Sequence, residues 1–267
     1  MGDIHPTAII APGAQLSADV KVGPYCIVGP DAVLGQAVEL MAHVVIEGRT
    51  RIGDRTIVHH FAALGGAPQH LRYEGEPTEL RIGRNCRIRE YVTVNRGTVA
   101  GGGRTVVGDG GVFMTGVHIA HDCQIGANVI MANQATLGGH VVIGDHVVIG
   151  GLSAVHQHVR VGTHAMVGGM TPCAEDVVPF GMAVGNPAHL SGLNLVGLKR
   201  RGFDRTAILT LRAVYRGLFE GAGTFSERVE RTAATFATEP LARPVLDFVR
   251  GPRIRPLCKP GRRHGRY

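Results

Sequence analysis

A chain of 267 residues with 39 glycines, 14 prolines, no tryptophan and 5% aromatic residues can bury a substantial core, though not the aromatic-rich core usual in helical bundles and sandwiches. No apolar run approaches the ~18 residues of a membrane span and no signal-peptide pattern opens the chain, so it reads as soluble and cytoplasmic. The net charge of +7 is matched by residues 250–267, where Arg250, Arg253, Arg255, Lys259, Arg262, Arg263 and Arg266 stand without an acid; such an end is a solvated tail or an attractor for an acidic partner, and no nucleic-acid recognition motif accompanies it.

From Ile4 an aliphatic residue recurs at every sixth position, through Ile10, Leu16, Val22, Val28, Leu34, Leu40, Ile46, Ile52, Val58 and Leu64. The period resumes in phase at Ile82, Ile88 and Val94. It then returns one residue out of phase at Val107 and runs through Phe113, Ile119, Ile125, Met131, Leu137 and onward to Cys173. Six is not a helical repeat, and the run is too long and regular for ordinary alternating strands. Hexads of this kind predict a left-handed parallel β-helix, each hexad forming one face of a triangular prism and three hexads one coil. The glycine that often follows the aliphatic residue is expected at a corner where φ or close approach excludes a Cβ. The fifth place of the hexad is small or branched, as at Cys26, Val38, Thr50, Cys86 and Cys123, so these cysteines read as core filling. Five cysteines without a CxxC pair argue against both a disulfide framework and a structural zinc site.

Two segments interrupt the period, near 68–80 and 97–105, and loops that leave a rigid solenoid often carry function. The β-helix is expected over 1–190. A helical domain is expected over 191–267: Asp204 would cap a helix containing Ile208, Leu211, Tyr215 and Leu218, Thr224 and Glu227 would form a capping box, and a short helix would lie near Val245–Val249.

Residues one coil apart, 18 in sequence, stack about 4.8 Å from one another. His121 therefore lies against Gly139, and Gly139 against Gln157. A histidine beside a position without a side chain could act as a base while the Gly139 N–H meets an oxyanion, with Asp122 orienting the ring; equally, the three could be polar residues on a solvated face. The column Thr115, Asn133, Gly151 and Gly169 is small throughout and could line an alkyl groove or pack closely at an interface.

The segments Ile4–Thr7 (IHPT), Gly75–Thr78 (GEPT), Ile88–Glu90 (IRE), Arg96–Thr98 (RGT), Ile119–Cys123 (IAHDC), Leu137–His140 (LGGH), Ala154–Gln157 (AVHQ), Met166–Gly169 (MVGG) and Gly197–Phe203 (GLKRRGF) together resemble, in order and with both interruptions, the bacterial UDP-N-acetylglucosamine acyltransferases of the first step of lipid A synthesis. The resemblance runs from about residue 4 to residue 250. It implies a homotrimer with sites between subunits, transferring a 3-hydroxyacyl chain from the 4′-phosphopantetheine of acyl carrier protein to the 3-position of a UDP sugar, without metal or bound cofactor. It implies His121 as general base, Asp122 as its partner and Gly139 as oxyanion donor. His118, His140, His156 and Gln157 would line the site, Arg72 would stand beside the substrate, and Asn194, Arg200 and Arg201 would reach the nucleotide. Asn133, Gly151 and Gly169 would bound the acyl groove.

Three positions depart from the family pattern. His70 stands where the commonest pattern has Asp near the sugar's 3-position, Pro187 where some relatives carry His near the acyl tail, and Val196 where an acid lies near the nucleotide. The first leaves open a 3-hydroxyl or a 3-amino acceptor, since a neutral imidazole can accept a hydrogen bond from either; the second leaves the chain length open. The hexads alone would also suit an acetyl-CoA-dependent transferase, which needs neither the small column nor GLKRRGF. A metal-dependent hydratase would need a histidine pair five apart, and no such pair occurs.

Overall fold

The computed structural model describes residues 3–261, and it is the triangular prism the hexads predict. Two-residue strands wind into three parallel sheets, the faces of a left-handed β-helix. The first face begins with Asp3–Ile4, the second with Ile9–Ile10 and the third with Gln15–Leu16. Registers step by 18 residues where no excursion intervenes, as in His118 against Thr136 and Thr136 against Ala154. The aliphatic first place of each hexad points inward, so that Leu34, Ile46, Leu64, Ile88, Ile119, Met131 and Ile149 are almost fully buried. Burial of each such side chain is worth about 1.5–3 kcal/mol. Cys26, Cys86 and Cys123 are buried at the fifth place, and burial pushes the Cys123 thiol up to about 12, which suits packing rather than nucleophilic attack.

At the corners the structure decides between the two reasons for glycine. The glycine at the second place of the hexad is needed for close approach, not for φ: a Cβ on Gly23 would lie 2.8 Å from the carbonyl carbon of Met41 in the next coil. The left-handed turn falls two residues later, at the fourth place, mostly on non-glycine residues such as Tyr25 (φ 56°), Phe61 (62°), Asp122 (62°) and His140 (60°), with Gly13, Gly110 and Gly116 at the same place. Each such residue costs about 1–2 kcal/mol, which the paired strands on either side offset.

Both excursions leave the prism at the same edge. One joins the second-face strand Ala63–Gly66 to the third-face strand Glu79–Ile82; the other joins Thr93–Asn95 to Arg104–Val107. Both are shorter than composition suggests, because Glu79–Leu80 and Arg104–Thr105 are already paired in the third face, with Leu80 and Thr105 turned inward. Arg96 staples the first excursion to the coil: its guanidinium donates to the Gly65 carbonyl at 2.8 Å and to the Tyr73 hydroxyl at 2.8 and 3.0 Å.

The prism ends in the antiparallel pair Gly181–Val184 and His189–Leu193, which carries sheet structure slightly past residue 190. Four helices follow: α1 (Leu195–Arg200), α2 (Arg205–Phe219), α3 (Phe225–Thr235) and α4 (Arg243–Arg250). Asp204 caps α2 and the Thr224–Glu227 capping box opens α3, as the sequence predicts. Their apolar faces meet through Ile208, Leu211, Val214, Leu218, Val229 and Val245. No helix among the described residues is long and apolar enough to cross a membrane.

Candidate active site

The edge between the second and third faces collects most of the polar residues singled out in the sequence. Asp122 occupies its left-handed corner with a carboxylate closed off from solvent. The second excursion holds that carboxylate: Thr98 donates to it from its backbone N–H at 2.8 Å and from its hydroxyl at 2.7 Å. Thr105 accepts the Asp122 N–H at 2.8 Å. Gly101 lies so close that any Cβ there would overlap the carboxylate. Charge-assisted bonds of this kind hold an ionised acceptor. Its remaining partner is His121, whose Nδ1 lies 2.8 Å from Oδ2. An ionised carboxylate can only accept, so Nδ1 carries the proton and the lone pair of neutral His121 is on Nε2. Nε2 has no protein partner among the described residues.

Gly139 lies over this ring. A Cβ on Gly139 would sit 2.6 Å from Cε1 and 2.8 Å from Nε2 of His121, so the ring occupies the space a side chain would fill. Among the described residues no acceptor takes the Gly139 N–H. The 18-residue column is therefore real, and its glycine makes room for the base.

Other histidines surround the pair. His140 stacks on His158 at 4.6 Å and meets His121 edge-on at 5.1 Å, with its Nε2 3.7 Å from Asp122. Burial, chiefly, holds the His140 imidazole below its ordinary value; the same holds for His118, which is hydrogen-bonded to Thr93 at 2.8 Å, and the nearby His121 lowers it further. The first excursion brings His70 to 5.3 Å from the His121 ring. His70 Nδ1 accepts the Arg72 N–H at 3.3 Å, so its accepting nitrogen is engaged by its own loop and a neutral His70 offers a donor. The Arg72 side chain is exposed beside it, and His156 and Gln157 lie exposed one coil further along the edge.

The donor atoms of His121, Asp122 and His140 lie within 4.8 Å of one another, close enough to consider a cation. Asp122 Oδ2, however, already accepts from His121 and Thr98, and a metal would have to displace both.

The remaining predicted residues lie on other edges. Asn133, Gly151 and Gly169 stack on the edge between the first and second faces; a Cβ on Gly169 would approach only the Gly151 backbone, at 3.3 Å or more. Asn194 and Arg201 sit by the edge between the third and first faces. Asn194 is buried, accepts the Gly197 N–H and donates to the His164 carbonyl, while Arg201 donates to the His146 carbonyl at 2.8 Å. Arg200 is exposed nearby. Adjacent edges of such a prism stand on the order of 15–20 Å apart, about six residues of extended chain. One chain does not bring these three groups together. Thr98, Thr105 and Gly101, which hold Asp122, were not singled out from the sequence; Thr98 lay inside the RGT segment, but nothing in its spacing pointed to Asp122.

Residues 176–258 match the family model described as UDP-N-acetylglucosamine O-acyltransferase, domain 2. The acyl-[acyl-carrier-protein]–UDP-N-acetylglucosamine O-acyltransferase of Caulobacter vibrioides is 53% identical over 97% of this chain and 98% of its own. That of Thermodesulfovibrio yellowstonii is 46% identical over 97% and 100%. Among solved structures, LpxA from Acinetobacter baumannii superposes with a TM-score of 0.93 at 39% identity, covering 96% of this chain and all of that one.

Proposed function

The chain belongs to the UDP-N-acetylglucosamine O-acyltransferase family, and from that premise we infer that it moves an acyl group from acyl carrier protein to UDP-N-acetylglucosamine, the first step of lipid A biosynthesis. The observation that carries the mechanism is His121 with Nδ1 bound to a closed-off carboxylate and its ring, Nε2 bare, packed against Gly139. Nε2 takes the proton of the sugar's 3-hydroxyl as that oxygen attacks the thioester carbonyl. The Gly139 N–H meets the tetrahedral oxyanion. Collapse breaks the C–S bond, and the departing phosphopantetheine sulfur recovers the proton from His121, giving an ester and a free thiol. General-base help contributes about 10²–10⁴-fold and one oxyanion donor about 10²–10³-fold. Substrate and donor supply every atom that moves, so the scheme uses no metal or bound cofactor.

The complete site lies between subunits of a homotrimer. The edge bearing His121 in one copy faces the acyl-groove edge and the α1 arginines of its neighbours, so Asn133, Gly151 and Gly169 follow the alkyl chain while Arg200 and Arg201 approach the diphosphate. Asn194 acts there through the α1 it caps. His118, His140, His156 and Gln157 contact sugar and donor, and Arg72 and His70 the acceptor. The donor carries a 3-hydroxyacyl chain, and the enzyme works in the cytoplasm, where carrier protein is loaded.

Initial rates with UDP-N-acetylglucosamine and its 3-amino analogue, against carrier protein bearing 3-hydroxyacyl chains of several lengths and against acetyl-CoA, test this reading. Carrier-dependent product from one of the two sugars supports it; turnover with acetyl-CoA alone contradicts it.

A further inference from the structure

Residues 251–261 of the basic C-terminal end return to the prism at the edge that carries the site, while Arg262, Arg263 and Arg266 lie outside the described residues. After α4 the backbone runs beside Asp176, which donates to the Pro256 carbonyl at 2.8 Å and accepts the Cys258 N–H at 2.9 Å; Leu190 donates to the Lys259 carbonyl at 2.8 Å. Leu257 and Cys258 are buried. Asp176 is itself fully buried and paired with Arg160 at 2.8 Å, so the attachment rests on a fixed group. This strap holds Arg255 over the end of the histidine edge. Its Nε donates to the Gln157 carbonyl at 3.0 Å, and its Nη2 lies 2.7 Å from Nδ1 of His156.

A guanidinium offers only N–H donors and keeps its charge at any physiological pH. The 2.7 Å contact therefore requires a lone pair on His156 Nδ1. The 3.3 Å approach of that nitrogen to the Gln157 carbonyl is then a contact between two acceptors, not a hydrogen bond. Neutral His156 must carry its proton on Nε2. Protonating Nδ1 would break the bond and set an imidazolium against a guanidinium. His121 is held in the opposite form, with Nδ1–H on Asp122 and Nε2 bare. Two histidines on one edge are thus fixed by two different partners, one as a base and one as a donor.

We propose that Arg255 is a positioning residue of the acyl-transfer site, fixing His156 as an Nε2–H donor toward a substrate oxygen and tying the C-terminal segment to catalysis. The proposal rests on the reading that His156 lines that site. It gives Arg255 a specific role beside whatever charge the rest of the basic end supplies.

The test uses the full-length enzyme with acyl carrier protein and UDP-N-acetylglucosamine. In ¹⁵N-histidine-labelled protein, His156 should show a bare Nδ1 and a protonated Nε2, and Arg255→Ala should mix the two tautomers. Arg255→Ala should raise the KM for the sugar nucleotide roughly 3–10-fold with a smaller change in kcat, as expected for one charge-assisted bond acting through a second residue. Arg255→Lys should recover part of the loss. In a His156→Ala background, Arg255→Ala should change nothing further. A protonated Nδ1 in the wild type, or an Arg255→Ala effect that persists undiminished without His156, overturns the proposal. A His156→Ala enzyme with unchanged kinetics also removes it, whereas the acyl-transfer reading itself fails only if the wild type makes no carrier-dependent product.

Discussion

Along the edge between the first and second faces, Tyr25, His43, Phe61 and Tyr91 fill successive left-handed corners and stack ring on ring at 4.8–5.1 Å. Along the edge between the second and third faces, Asp122, His140 and His158 fill the same kind of corner, yet Asp122 is closed off, hydrogen-bonded four ways and set against a base. The backbone device is one; the neighbours differ. On the first edge the coil runs on, and these rings meet one another from coil to coil. On the second, two excursions break the coil immediately before His121, bringing Thr98 to the carboxylate and His70 to the ring. The repeat supplies columns at fixed spacing, and the interruptions turn one column into a site.

If that difference is what matters, removing the base should have the largest effect and leave the scaffold intact. His121→Ala should lower kcat/KM by about 10²–10⁴-fold while the prism still folds, with at most a modest fall in melting temperature from the bond that the Asp122 carboxylate loses. Near-normal turnover would return the histidine edge to the same standing as the aromatic one.

Gly139→Ala sharpens the comparison, because it keeps the Gly139 N–H and changes only the room for the ring. The new methyl would lie 2.6 Å from His121 Cε1, so the imidazole must move. The expected loss is about 10²-fold in kcat, the usual consequence of misplacing a catalytic group by an ångström. Wild-type turnover in this variant would mean that the ring tolerates displacement.

The prism itself was legible because its rule is local and periodic: Ile46, Leu64 and Ile119 announce an inward position wherever they recur. The stacking of His121, Gly139 and Gln157 followed from the same period. What escaped the sequence depends on chain that obeys no period. Thr98 reaches Asp122 from an excursion, Arg96 pins Tyr73 across another, and Arg255 arrives 99 residues after the histidine it meets. The corner glycines were half legible, since close approach of the next coil and positive φ both favour glycine, and only the backbone separates them.

A smaller effect concerns the excursion alone. His70→Asp should keep its loop, because a carboxylate can also accept the Arg72 N–H two residues on. It would also accept from a sugar hydroxyl and stabilise an unreactive ammonium. The ratio of kcat/KM should therefore move about 2–10-fold toward the 3-hydroxyl acceptor over the 3-amino one, the scale of a single hydrogen bond. An unchanged ratio would make His70 a neutral replacement.

The smallest effect lies on the third edge, where no excursion intervenes. His164 stacks between His146 and Phe180, its Nδ1 is buried without a partner, and burial first, then the His146 and Arg201 charges, pull its pKa down to about 4, against a weaker opposing pull from Asp145. The unfolded chain takes up this proton near 6.5 and the folded one only near 4, so the folded state loses stability as pH falls across that window. His164→Phe keeps the stack and removes the titration. Its melting temperature should fall less than the wild type's between pH 7 and pH 5, by about 1–3 °C. Equal losses in the two proteins would place the acid sensitivity elsewhere.

The claim that the excursions hold His121 as a base is tested most directly by the protonation of its two ring nitrogens, read by ¹⁵N NMR of histidine-labelled enzyme at neutral pH and assigned with His121→Ala. His121 should show a protonated Nδ1 and a bare Nε2. A bare Nδ1 with the proton on Nε2, or rapid averaging between the two forms, would contradict it.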